Sequence, residues 1–187
     1  MRWQLQFFDW LWKRQPSGQD ITPPPVPVLP RRAVPTAPTS PSDACITLIE
    51  SIEGCLLKAE KDVDGVYILG YGNKIFDGKN VVAGQTTDYA GADRNCRTHA
   101  QQCATAVIAA VKVALTQGQL DSLTDFMYNV GIGGFHSSTI LKTLNARQPV
   151  TEDMFTRWNK ITLPDGSHKV LDGLTRRRKA EYQLFIS

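Results

Sequence analysis

The feature that most constrains this chain is where its prolines fall. Most of the 11 prolines lie between positions 15 and 42, in the run ITPPPVPVLPRRAVPTAPTSPS and just ahead of it. Each proline removes a backbone donor and fixes φ, so this stretch is expected to be an extended, polyproline-like arm. It cannot hold a packed core. What folds must lie in residues 43–187, a length that suits one ordinary domain.

Ahead of the arm, residues 1–14 read MRWQLQFFDWLWKR. The pattern predicts a short helix bearing Trp3, Phe7, Phe8, Trp10, Leu11 and Trp12. So short a segment cannot bury that many apolar side chains by itself, which implies a partner surface. A protein partner is favoured over a membrane interface because the basic flank is thin. The segment has no small-residue cleavage site and reads poorly as a secretory signal. No stretch reaches the roughly 20 apolar residues that a membrane span needs.

A composition of 42% apolar and 21% charged residues is that of a soluble globular protein. The net charge of +3 is too small to identify a partner. With three histidines, and with Cys45, Cys55, Cys96 and Cys103 in no CxxC pair, no metal site is expected. Cys96 and Cys103 are too far apart to bridge if both lie on one helix. The thiols are otherwise open between free and bridged.

Ser40, Pro41 and Asp43 read as a helix cap, a first-turn proline and a first-turn acid. Ile46, Ile49 and Ile52 follow at helical spacing, and Gly54 is a stop. The segment LLKAEKDVDGVYILGYG predicts two strands joined around Asp64-Gly65. Beyond a variable stretch to about Gly91, helical stripes take over. One holds Ala104, Val107, Ile108 and Val111, and another holds Leu120, Leu123, Phe126, Met127 and Val130. GIGG at 131–134 breaks the chain, and Ser137 or Ser138 restarts it. Thr151 caps a short helix, and a last helix runs from about Leu174 to Phe185. The expectation is an α+β, mostly helical domain with one small hairpin.

Two carboxyl groups in unlike environments, one protonated and one ionised, can act together as general acid and base. By local pattern alone Glu53 reads as an ordinary solvent-facing glutamate, but its position is notable. It ends the first helix, where the macrodipole disfavours negative charge and favours a retained proton.

The run Glu53-Gly54-Cys55-Leu56-Leu57-Lys58-Ala59-Glu60-Lys61-Asp62, continued through Val66-Tyr67-Ile68-Leu69-Gly70-Tyr71-Gly72, resembles the opening of the phage lysozyme family, glycoside hydrolase family 24. There a helix ends in Glu-Gly, followed by Leu-x-Ala-Tyr-x-Asp and then Gly-x-x-Thr-Ile-Gly-Tyr-Gly-His. The resemblance continues through Leu115 to Leu123, through Phe126-Met127-Tyr128-Asn129-Val130-Gly131, and through Gly173-Leu174-Thr175-Arg176-Arg177-Arg178-Lys179-Ala180-Glu181. It covers roughly residues 43–186 in the right order. It implies a lysozyme-like two-lobed fold, with a small β-hairpin lobe, a larger helical lobe, and the sugar chain between them.

Matched position by position, Glu53 falls on the family's proton donor and Asp62 on the carboxylate that handles water or supports the sugar cation. Three departures cluster there. Ile68 replaces a threonine and cannot hydrogen-bond a water. Glu60 replaces a tyrosine and Asn73 a histidine. Asn129 is expected to satisfy buried backbone or to touch the groove. Trp158 reads as core, and Arg176 to Lys179 as a structural helix with one or two ion pairs, not a nucleic-acid surface.

The resemblance implies a muramidase without cofactor, acting on periplasmic peptidoglycan. It would act either from the virion, with residues 1–42 docked on a tail or capsid protein, or from the host cytoplasm at lysis. The competing reading is a non-catalytic wall-binding module on the same fold.

Overall fold

The computed structural model describes residues 37–62, 65–163 and 166–187. The aromatic segment 1–14 and all of the arm up to residue 36 lie outside the described residues. The chain divides into two units near residue 35, and all secondary structure among the described residues belongs to the second.

Helix α1 spans Asp43–Glu53. Its cap is Ser42, not Ser40, and the reason is a distant contact. Asp121 takes both the Ser42 backbone N–H (2.8 Å) and its hydroxyl (2.5 Å), while the Ser42 oxygen accepts from Ala44 N–H. Ser40 instead gives its carbonyl to Gln117. Cys45, Ile46 and Ile49 are buried against Cys96 and Ala100. Ile52, expected in the same stripe, is 37% exposed. Gly54 ends the helix at φ +68°, a conformation that favours glycine.

Strands β1 (Leu56–Lys61) and β2 (Tyr67–Gly70) form the expected antiparallel ribbon. Alternation sends Ala59 and Leu69 inward, where they meet Phe76 and Val81. Glu60 pairs directly with Ile68 on the opposite face. The structure corrects the expectation of one hairpin. Strands β3 (Ile75–Phe76) and β4 (Lys79–Asn80) form a second ribbon, closed by Asp77 and Gly78, both at positive φ.

Helix α2 (Tyr89–Ala110) is capped by Asp88, which accepts from Gly91 N–H at 2.7 Å. Helix α3 (Gln117–Ser137) opens on a reciprocal capping box between Thr116 and Gln119. It breaks at Gly131 (φ +74°, ψ 169°), where the glycine-rich run was expected to interrupt the chain. Helices α4 (Thr139–Asn145) and α5 (Glu152–Thr156) come next. A third ribbon, also unforeseen, pairs β5 (Lys160–Thr162) with β6 (His168–Val170). Helix α6 (Asp172–Phe185) closes the fold.

Val107, Leu120, Leu123, Phe126, Phe135 and Phe155 centre the larger core. Trp158 packs against that core, edge-on to Phe126 at 5.5 Å. Cys96 and Cys103 both lie on α2, and all four thiols are free. Among the described residues no helix is long and apolar enough to cross a membrane, and no cluster of His, Cys, Asp and Glu could hold a metal ion.

Candidate active site

A cleft of about 780 Å³ is lined by residues of α1, β2, β3, α2 and α3 and by Asp62 just past β1. Of the residues singled out from sequence, Glu53, Asp62, Ile68, Asn73 and Asn129 all line it. Glu60 does not. It is exposed on β1, across the ribbon from Ile68.

Glu53 arrives from the last turn of α1, its side chain 23% exposed. Its Oε1 accepts from Arg177 Nη1. Arg177 is itself 1% exposed and grips Asp125 with two bonds, Nη2 to Oδ1 at 2.7 Å and Nε to Oδ2 at 3.1 Å. A planar guanidinium holding a carboxylate in this forked way has little freedom to turn. Arg178, one residue on, chelates Glu181 at 2.8 and 2.9 Å, stacks on Phe126 and donates to the Asn129 side chain. Asn129 thus accepts from a buried cation, a partner the sequence did not suggest, while lining the groove as one of its two expected roles has it.

Two guanidiniums thus meet three carboxyl groups beneath the cleft: Glu53, Asp125 and Glu181. Burial pushes Glu181 well above the usual carboxylate range; Arg178 opposes that and Asp125 adds to it. Burial would lower Arg177, but Asp125 and then Glu53 carry it above its ordinary value. The last helix was expected to be structural, with one or two ion pairs, and Arg177 and Arg178 make such pairs, buried beneath the cleft.

The opposite side of Glu53 is closed by the turn after β2. A Cβ built on Gly72 would lie 3.2 Å from Glu53 Oε2, and Gly72 sits at φ +72°. Glycine is needed there on both counts. Asn73 is next, buried, its Nδ2 donating to His99 Nδ1 (2.9 Å) and to Tyr128 OH (2.7 Å). His99, Tyr128, Gly72 and Arg177 were not picked out from sequence as site residues. A lone histidine on a polar helix carries no local signal, since its partners come from other elements.

Asp62 lies just past β1, and its N–H donates to Val66 O at 2.8 Å. Continuing the Glu60–Ile68 register puts Asp62, Glu60 and Ile68 on one face of the ribbon. An isoleucine side chain therefore lines the wall beside Asp62.

The profile of the phage lysozyme family matches residues 50–181. An endolysin of Bacillus phage PZA is 40% identical over 149 residues, covering 78% of this chain and 55% of the relative. The chain spans about half the length of that relative and of a second Bacillus phage endolysin. An endolysin of the Acyrthosiphon pisum secondary endosymbiont phage 1 is 33% identical, with 78% and 97% covered. Among solved structures, an endolysin from Escherichia coli O157:H7 phage FAHEc1 superposes with a TM-score of 0.71 at 31% identity, covering 78% of this chain and 92% of the other. The muramidase domain of SpmX from Asticaccaulis excentricus gives 0.70 at 31% identity, covering 78% and 97%. With ordered matches from the first helix to the last and the same fold around the cleft, the chain belongs to the phage lysozyme family.

Proposed function

We propose that the protein is a peptidoglycan muramidase, hydrolysing the bond between N-acetylmuramic acid and N-acetylglucosamine, with Glu53 as general acid and Asp62 as base or cation stabiliser. The observation that carries this reading is that both carboxyl groups, delivered by different elements, line one cleft. The names of the relatives, endolysin and muramidase domain, support the choice of substrate.

The geometry suits an acid. A protonated carboxyl has one O–H and one acceptor oxygen. Arg177 can only donate, so Oε1 is the acceptor and the proton belongs on Oε2, beside Gly72. A saccharide in the cleft displaces water from that oxygen and receives the proton at its glycosidic oxygen. Asp62 then supports the sugar cation or takes a proton from the attacking water.

Clearing of chloroform-treated Gram-negative cells tests the reading. Wild-type protein is expected to lower turbidity, and Glu53→Gln to lose about 10²- to 10⁴-fold in rate. Wall binding without clearing would instead make it a non-catalytic module.

Residues 1–42 are read as a tether and anchor on a virion or tail protein, supported by the proline run and the aromatic tip. Purified virions that retain the full chain but not a chain lacking residues 1–14 would bear this out. Flotation of the full chain with liposomes would replace it by a membrane anchor.

A further inference from the structure

We propose that His99 is a positioning residue for this hydrolysis, acting through Asn73 to fix the turn that packs on the Glu53 carboxyl. The inference rests on the muramidase reading for its effect on rate, but not for the linkage itself.

Four groups form one chain of bonds. Asn73 Nδ2 uses its two hydrogens on His99 Nδ1 (2.9 Å) and Tyr128 OH (2.7 Å). Tyr128 spends its own proton on Tyr71 O, at 2.8 Å. Asn73 also exchanges both backbone bonds with Leu69, at 3.0 and 3.1 Å. The turn between them carries Gly72, which lies against Glu53 Oε2. One amide therefore ties the turn to α2 and α3 at once.

The orientation of that amide is decided by its neighbours. Tyr128 has given its proton away, so its oxygen accepts. Tyr128 therefore takes a hydrogen from the amide, which turns Nδ2 toward His99 Nδ1 as well and leaves Oδ1 buried with no partner. Leaving an acceptor unpaired costs free energy, and the two bonds on the other end are what hold it there. His99 can accept at Nδ1 only as the neutral imidazole with its proton on Nε2. A proton on Nδ1 would set donor against donor. The amide would have to swing round, which breaks its link to Tyr128 and frees the turn beside Glu53.

These roles fix the sign of the pH effect. Burial lowers the His99 pKa, with Glu53's negative charge acting the other way. The bond to Asn73 is intact above that lowered value and lost as pH falls through it. The unfolded chain takes up its proton first, near 6.5, so stability also falls as pH drops from there through the folded value. The groups around His99 are Glu53 from α1, the Tyr128 ring at 4.4 Å from α3, and Cys103 on its own helix; Asp62 and Lys74 of the small lobe line the same cleft.

Three forms of the full chain test this: wild type, His99→Leu with no acceptor, and His99→Gln with an acceptor that does not titrate. Thermal melts first establish that each variant folds. In His99→Leu the expected result is a fall in kcat of about tenfold to a hundredfold with KM little changed. In His99→Gln most of that loss is recovered and the plateau extends to lower pH than in wild type. A purely structural histidine would lower the melting temperature and leave the pH profile alone. A folded His99→Leu with wild-type kcat, or a His99→Gln acid limb that overlays the wild type, overturns the proposal. Should wild type show no hydrolysis at all, the muramidase reading fails by itself. The linkage is then read by NMR on isotope-labelled protein. Asn73 side-chain and Gly72 amide signals are expected to track the His99 titration in wild type and to stay fixed in His99→Gln. Signals indifferent to His99 overturn it.

Discussion

Glu53 and Asp62 line the same cleft from walls built on opposite principles. Behind Glu53 lies a buried charge cluster in which Arg177 joins α1, α3 and α6 through Glu53, Asp125 and Glu181. Behind Asp62 lies a two-stranded ribbon whose cleft face carries an isoleucine. Such ribbons are marginal by themselves, and this one is braced at its inner edge by bonds from Ala59 to Gln85 O and from Thr87 to Leu57 O. The difference matches the roles proposed for the two groups. An acid must aim one O–H at one oxygen, whereas a carboxylate that handles water needs solvent beside it. The first task calls for rigid anchoring and the second for access.

Asp62→Asn is the sharpest way to break that contrast. It is expected to cost about 10²- to 10⁴-fold in rate and less stability than stranding a fully buried charge would. Turbidity kinetics and urea unfolding measure the two separately. An equal loss of stability would mean that the ribbon wall is as structural as the other.

Arg177→Met attacks the opposite wall and is expected to lower stability as well as rate, because it also removes the group that holds Glu53. It leaves Asp125, fully buried, without its forked partner. Removing one member of a buried pair costs about 3–5 kcal/mol, visible as a lowered urea midpoint. Pairing it with Asp125→Leu is expected to return part of that loss, because no charge is then stranded. Absence of any recovery would assign the stability to packing and not to charge.

What could be read from sequence divides along the same line. The helix ending in Glu53 and the ribbon around Asp64-Gly65 were legible because their signals are local: a cap, a stripe, a stop and a turn pair. The Asp77-Gly78 turn carries the same dipeptide, yet its strands are two residues long and show no alternation. Ribbon β5–β6 is exposed at every described strand position, so no buried face marks it. The choice of Ser42 over Ser40 was invisible because Asp121, 79 residues away, makes it. Glu53 and Asp62 were legible through the family motif. Arg177 reaches Glu53 across 124 residues and His99 reaches Asn73 across 26. Pairings at that range leave no trace in local pattern.

Gly72→Ala probes how closely the turn must approach Glu53. Alanine at positive φ costs about 1–2 kcal/mol, and its Cβ would lie 3.2 Å from Oε2. Activity is expected to fall more than stability alone explains, because the displaced oxygen is the one assigned the proton. Retained activity in a destabilised protein would show that the carboxyl tolerates movement, and would weaken the picture of a rigid wall.

The smallest effect is expected at Ile68, and it has the opposite sign. The side chain lines the cleft, half-buried, beside Asp62 on the same ribbon face. Ile68→Thr keeps the β-branch that suits a strand and replaces an ethyl group by a hydroxyl that can hold a water. Some apolar contact is lost, at a cost of about 1 kcal/mol. The rate is expected to rise by about a few fold, since one extra hydrogen bond to the attacking water is worth about 1 kcal/mol. Repeating the substitution with Glu60→Gln decides what serves in its absence. If Glu60, directly across the ribbon, already orients the water, then Glu60→Gln slows the wild type and the added threonine restores the loss. If Glu60→Gln changes nothing in either background, the water is held by Asp62 alone, and the open wall works by access without a second polar group.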